Sequence, residues 1–380
     1  MGDLKKTPLF DVYPRYGGKI IDFAGWALPV QYQGIIAEHE AVRSAAGIFD
    51  VSHMGEVEVK GKDALKFVQN IITNDASTLE NNQALYSPMC YENGGTVDDI
   101  LVYKYADDYF YLVINAGNID KDFKWMMDHK DNLDVDIINI SPDICEFAIQ
   151  GPKAQMILQK VVNIDLENIK FFYCERNVKV NNVDCMISRT GYTGEDGFEI
   201  FCNAKDGESI WVKLLEVGKD DGLIPVGLGC RDTLRFEACL PLYGNELTED
   251  ISPLEAGIGF FVKLNEDEFI GKEALMKQKS QGLKRKIAGF EMKDRGIPRH
   301  GYKVQVNGEE IGFVTTGYKS PSLNKNIGLA LIKSDYAALG KEIEIIIRNK
   351  GAKAEIIDKK FYKKIIKNSL KYKIFYIYLN

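Results

Sequence analysis

The sequence predicts a mixed α and β protein whose C-terminal part, from about residue 285, is a small β-barrel. Three observations carry this reading. Over the first half, apolar residues recur with helical period in some segments and in strand-like runs in others. Beyond about 285 only strand patterns remain. Segments 302–306 and 310–315 flank Asn307-Gly308, a dipeptide that suits a two-residue hairpin turn, and 327–332, 343–348 and 352–357 continue the run.

In chain order, 35–46 carries apolar residues at 35, 36, 42, 45 and 46 before Gly47, a helix with a stop signal. Residues 63–72 present Leu65, Phe67, Val68, Ile71 and Ile72 as the apolar face of a second helix. Strands at 100–104 and 109–115 flank an Ala-Asp-Asp turn, and 118–131 returns to helical period with Asn118 as its cap. A strand at 146–150 stops at Gly151-Pro152, and 177–189 makes a hairpin around Asn181-Asn182. Helices follow at 209–217, ended by Gly218, and at 230–240. The chain closes with seven lysines between 359 and 373 and an alternating aromatic and aliphatic end, read as a dispensable tail.

At 380 residues the chain has room for two or three domains. Its net charge of −7 argues against a nucleic-acid partner, which calls for a basic face. No apolar run reaches the length of a membrane span, and the first residues lack the apolar core of a signal peptide, so the expectation is a cytoplasmic protein with no membrane association. Seven cysteines at irregular spacings, with no Cys-x-x-Cys, read as reduced, mostly buried thiols. The four histidines are equally dispersed, and no metal site is expected.

The common nucleotide motifs fail. In Gly191-Tyr192-Thr193-Gly194-Glu195-Asp196-Gly197 the glycines fall at every third position, which is neither a dinucleotide fingerprint nor a phosphate loop. Gly227-Leu228-Gly229 has Asp232 where the third glycine belongs, and no serine sits in a nucleophile elbow. By contrast, Asn93-Gly94-Gly95-Thr96-Val97-Asp98-Asp99 joins a tight turn to two carboxylates and an apolar strand. That arrangement suits hydrogen bonding or proton transfer to a ligand; the competing reading is a solvated hairpin turn. Three further segments look built for a cleft: Asp22-Phe23-Ala24-Gly25-Trp26, the run from Phe49 to Glu56, and Ser188 to Glu199. Val226-Gly227-Leu228-Gly229-Cys230-Arg231-Asp232 opens a helix, a favourable place for polar or anionic groups.

Together with Thr7-Pro8-Leu9-Phe10, Ile72-Thr73-Asn74-Asp75, Ile149-Gln150-Gly151-Pro152-Lys153 and Ser320-Pro321, these motifs closely resemble the aminomethyltransferase (T-protein) family of the glycine cleavage system, over nearly the whole chain to about Tyr362. The resemblance implies a transfer reaction. A lipoyl carrier, the H-protein, presents an aminomethyl group on sulfur; ammonia is released and the methylene unit passes to tetrahydrofolate, giving 5,10-methylenetetrahydrofolate with no metal involved.

By the same resemblance Glu199 is the carboxylate that accepts paired N–H donors of the pterin, against the alternative of an exposed strand residue. Asp99 is implied as the catalytic carboxylate near N5 and N10 of the folate. Asp98, on the opposite face if the segment is extended, is structural. Arg231 is implied to contact the p-aminobenzoyl-glutamate part, against an internal ion pair with Asp232 or Glu237. Met54, Tyr86, Tyr103, Asn115 and Tyr192 fall on positions lining the folate cavity, although any one of them reads equally as plain core. Tyr362 joins them, with Lys360 replacing the family's usual proline.

The implied architecture is a three-lobed, cloverleaf-like α+β folate-binding fold with a C-terminal β-barrel. Its division here is 1–55 with 140–247 as a discontinuous first lobe, 56–139 as an inserted second lobe, 248–284 as a connection, 285–362 as the barrel and 363–380 as the tail. Two rivals are a folate domain serving a demethylating amine dehydrogenase and a non-catalytic folate-binding scaffold. The first group pairs such a module with a flavin domain, and the dinucleotide fingerprint is missing here. The second carries a Lys-Gly-Cys-Tyr signature, and this chain reads Leu240-Pro241-Leu242-Tyr243.

Overall fold

The structure is a computed structural model and describes residues 4–362; the lysine-rich tail read at 363–380 lies outside the described residues. The chain divides into two compact units. The first holds the chain up to Val68, Ala76–Tyr86 and Ile100–Leu234; the second holds Gln69–Asp75, Ser87–Asp99 and the chain from Arg235 onward.

The first unit is built on a six-stranded sheet in the order Cys174–Val180, Val183–Ser188, Gly197–Asn203, Ile144–Gln150, Ala46–Asp50, Leu223–Pro225. Neighbours are antiparallel except the last pair. Alternation sends Phe147, Ile149, Phe198 and Ile200 to one face, where they join Trp211 and Leu214 of the helix Gly207–Gly218 in a core. Three cysteines lie side by side across this sheet, Cys185 opposite Cys202 and Cys202 opposite Cys145. All seven thiols are free, and six are buried.

The helix read at 35–46 stops earlier, at Ile35–Ser44, and Gly47 belongs to the strand Ala46–Asp50. A Cβ on Gly47 would lie 2.6 Å from Val42 and 3.0 Å from Val226, so this glycine admits close helix packing rather than ending the helix. The hairpin at Asn181-Asn182 forms as read, both residues having positive φ. The helix expected at 230–240 runs Leu228–Glu237, because the chain turns at Cys239 with φ 61°.

A second sheet has the order Gln83–Cys90, Thr96–Ala106, Tyr109–Ile114, Gly55–Lys60, Asp136–Asn139. Its strand Thr96–Ala106 begins four residues before the predicted start, so Asp98 and Asp99 are strand residues. The alternation then buries Asp98 fully and leaves Asp99 half-buried, in accord with their expected division between faces. Ile119–Asp128 forms the expected helix behind Asn118, which makes no side-chain capping bond.

In the second unit the strands Arg285–Met292, Asn326–Lys333, Glu309–Lys319, Lys303–Val306, Glu342–Ile347 and Lys350–Ile357 close into a barrel. Phe290, Val304, Ile332, Ile345 and Ile356 fill it. Asn307 and Gly308 have φ 51° and 82°, the left-handed values of the expected turn. The helix Lys272–Gln281 lies inside the segment read only as a connection. Leu275 is its buried apolar anchor, whereas Met276 is exposed, so no apolar stripe announced it.

The two glycines of the Asn-Gly-Gly motif do different work. Gly94 turns the chain with φ 86°, and its N–H donates to Tyr91 O at 2.9 Å. Gly95 is a close approach: a Cβ there would stand 1.8 Å from the carbonyl oxygen of Glu249, while Thr96 N–H donates to Thr248 O at 2.9 Å. The glycine therefore meets backbone rather than ligand. Gly95→Ala is expected to cost about 1–3 kcal/mol, read as a lower Tm and urea midpoint. Gly95→Ala as stable as the wild type would show that the approach is not fixed.

Candidate active site

The glycine-rich loop between the strands Val183–Ser188 and Gly197–Asn203 is fixed from within. Arg189 donates from Nε and Nη2 to the two carboxylate oxygens of Asp196, at 3.0 and 2.6 Å. Buried Gln150 donates to Thr190 O at 3.0 Å and accepts from Thr193 Oγ1 at 2.9 Å. Arg43 donates to Thr193 O at 2.7 Å and to Glu195 at 3.1 Å. The glycine at every third position now has a reason. A Cβ on Gly191 would overlap the Gln150 amide at 2.0 Å, Gly194 takes φ 77°, and a Cβ on Gly197 would meet Ile149 O at 2.4 Å. Fully satisfied buried amides of this kind hold one loop geometry.

Glu199 is the carboxylate that this loop frames. It pairs with Ser188 on one side and Ala148 on the other. At 6% exposure it is not a solvated strand residue. Thr190 Oγ1 donates to Glu199 Oε2, and the Tyr103 hydroxyl lies 3.2 Å from the same Thr190 oxygen. Burial pushes the Glu199 carboxyl above the usual range, while the Thr190 bond and the Arg231 charge pull it back.

Arg231 stands in the first turn of Leu228–Glu237, its guanidinium 4.7 Å from the centre of the Tyr192 ring. Among the described residues no carboxylate closes on Arg231 within ion-pair distance, and Asp232 does not take up its charge. A planar cation on an aromatic face remains able to receive an anion. His53 is buried, and its pKa is lowered to about 3 by desolvation first and by the Arg231 charge second.

The remaining expected residues sort by environment. Tyr103 is fully buried, with Tyr111 and Phe201 edge-on at 6.1 and 6.2 Å. Met54 is half-buried and packs against two clusters, one around Phe49 and Ala148, the other around Tyr103, Tyr111 and Phe201. Asn115 is half-buried and follows the strand Tyr109–Ile114. Tyr86 is half-buried in Gln83–Cys90. Glu199, Arg231, Tyr192, Tyr103, Met54, Asn115 and Tyr86 thus belong to the first unit, and Asp99 and Tyr362 to the second. Asp99 is half-buried in its strand. Tyr362 is half-buried, its N–H donates to Glu237 O at 3.0 Å, and neighbouring Phe361 packs on Phe236 at 5.2 Å.

Sequence reasoning missed two carboxylates near Glu199. Glu146, in the apolar strand Ile144–Gln150, is 2% exposed, and Glu56 is fully buried. Both oxygens of Glu56, Oε2 of Glu146 and the Tyr111 hydroxyl make no hydrogen bond. A lone carboxylate inside an otherwise apolar strand was the available signal for Glu146. Among the described residues no group of three or more His, Cys, Asp or Glu side chains is arranged to hold a metal ion.

Two family models match the chain, the GCVT N-terminal domain over 9–266 and the glycine cleavage T-protein C-terminal barrel domain over 285–363. An aminomethyltransferase of Alkaliphilus metalliredigens is 65% identical over 96% of this chain and 99% of its own length. An aminomethyltransferase of Clostridium botulinum is 59% identical with the same coverage. The crystal structure of glycine cleavage system aminomethyltransferase T from Bartonella henselae superposes with a TM-score of 0.88 at 31% identity, over 94% of this chain and 98% of that one. The carboxylate-bearing loop and the terminal barrel are therefore those of a known family: the chain belongs to the aminomethyltransferases, the T-proteins of the glycine cleavage system.

Proposed function

We propose that this chain catalyses the tetrahydrofolate-dependent step of glycine cleavage. It takes the aminomethyl group from the sulfur of a lipoyl carrier, the H-protein, releases ammonia and delivers the methylene unit to tetrahydrofolate as 5,10-methylenetetrahydrofolate. The observation that carries the reading is Glu199, a buried carboxylate at the family's pterin position, held by Thr190 and unpaired with any salt-bridging cation among the described residues. Such a group is short of N–H donors, and the pterin ring supplies two side by side.

The other assignments are those the family resemblance implies, and the residue chemistry suits them. Asp99 orients the attacking folate nitrogen and stabilises positive charge on the transferred carbon as ammonia departs. Arg231, backed by the Tyr192 ring, serves the p-aminobenzoyl-glutamate end. Met54, Tyr86, Asn115, Tyr192 and Tyr362 line the folate cavity. Tyr103, fully buried, contributes through its hydroxyl beside Thr190. The seven unbridged thiols suit a reducing compartment such as the cytoplasm, and no helix among the described residues is long and apolar enough to cross a membrane. The chain is divided into a discontinuous first lobe of 1–55 and 140–247, an inserted lobe of 56–139, a connection at 248–284 and the barrel at 285–362. This division is supported by strand membership, since the six-stranded sheet draws on 46–50 and 144–225 and the five-stranded sheet on 55–139.

Two substitutions separate the roles. Asp99→Asn is expected to lower kcat for folate-stimulated ammonia release about 100-fold with little change in KM for tetrahydrofolate. Glu199→Ala is expected to raise the Kd for tetrahydrofolate by about tenfold or more, the loss of charge-assisted hydrogen bonds. The measurement is ammonia release from an aminomethyl-loaded lipoyl carrier, with and without tetrahydrofolate, beside direct titration of folate binding. Equal and small effects of both substitutions would remove the assignment. Folate binding without stimulated release from a competent carrier would favour a scaffold.

A further inference from the structure

The buried carboxylates behind Glu199 present a charge problem. On the six-stranded sheet Glu199 lies opposite Ala148 and Phe201 opposite Glu146, so Glu146 and Glu199 share one face, diagonally apart on adjacent strands. That face packs on the second sheet, where Phe201 and Met186 meet Tyr103, Tyr111 and Val113. Glu56 lies opposite Val113, so it too faces this interface. The titratable groups that Glu146 meets are Glu199 from its own sheet, Asp50 from the adjoining strand, Glu56 and Tyr111 from the second sheet, and Arg231 from the helix beside it. Tyr103 and His53 stand next in line, beside Glu199 and Arg231 respectively.

The cation that acts on Glu146 and Glu199 is Arg231, and Glu56 has no hydrogen bond to either oxygen. An ionised carboxylate with no partner in an apolar interface is strongly disfavoured, so such a group keeps its proton. Glu199 differs from the other two in having a donor, Thr190.

We propose that Glu146 is a positioning residue for the folate site: it holds the proton of a buried carboxyl set, with Glu56 beside it, and thereby leaves Glu199 as the group that bears the negative charge. This rests on the pterin assignment of Glu199 and adds its electrical condition. Burial, with the charges of Glu199, Glu56 and Asp50, raises the Glu146 carboxyl well above the usual range. The sign follows. Glu146 holds its proton and gives it up as pH rises, and the second charge then repels Glu199 from its place.

The experiment uses the full chain and has two readouts. Infrared spectra near neutral pH are expected to contain the carbonyl band of buried protonated carboxyl groups. Glu146→Gln should remove part of it, Glu56→Gln the other part, and Glu199→Gln none. KM for tetrahydrofolate in the wild type should rise about tenfold toward alkaline pH, while in Glu146→Gln it stays within about threefold. If Glu146→Gln does not fold, Glu146→Asp keeps a carboxyl and is expected to move the band rather than delete it. A spectrum without the band, a band lost with Glu199→Gln instead, or identical pH profiles for the wild type and Glu146→Gln would overturn the inference. Unchanged folate binding in Glu199→Gln would instead overturn the pterin assignment itself, whatever the spectra contain.

Discussion

Desolvation of carboxylates constrains the interior of the first unit, and the loop around Glu199 depends on how it is met. A protein of this charge has ample acid on its surface, where it costs little. Here acids are also set inside the first unit: Asp50, Glu56, Glu146 and Glu199 are all under a tenth exposed. Each must be matched by donors, by a cation or by a proton. Asp50 takes donors, from Thr7, Tyr13 and Ser52. Glu199 takes one, and the rest of its capacity is what a ligand can meet. Much of the surrounding architecture follows from keeping these solutions distinct. The Gln150 clamp, the Arg189–Asp196 pair and the glycines that let the loop close on Gln150 and Ile149 all hold Thr190 in place.

How much of this the sequence disclosed depended on whether the signal was local. Turn chemistry is local, so Asn307-Gly308 and Asn181-Asn182 were read correctly from two residues each. The mixed α and β character and the strands-only barrel were legible because apolar periodicity repeats many times. Helix ends were less so: Gly47 resembled a stop signal, yet its missing side chain serves contact with Val42 and Val226, residues that no local reading connects to it. The helix Lys272–Gln281 went unread because its stability rests on one buried leucine and tertiary packing.

The site divided in the same way. Motif by motif, the family resemblance pointed to Glu199, Arg231 and Asp99, and the loop glycines were visible as a pattern before they had an explanation. Glu146 and Glu56 were not visible as a group. They are ninety residues apart, in different sheets, and they matter only because two faces close on them. Charge balance in an interior is a property of the fold, and a sequence shows it only as an acid in an apolar run.

The row of Cys185, Cys202 and Cys145 has a consequence for handling the protein. While the sheet is intact, each thiol is shielded from solvent, and hydrogen bonding to the next thiol in the row, with burial after it, raises Cys185 and Cys202 above the ordinary thiol range, which keeps thiolate scarce. Once the chain unfolds, all seven sulfurs become available to pair in ways the native structure never allows. Thermal unfolding in air is then a one-way process whose apparent midpoint moves with heating rate, and reversibility becomes a function of the reductant in the buffer.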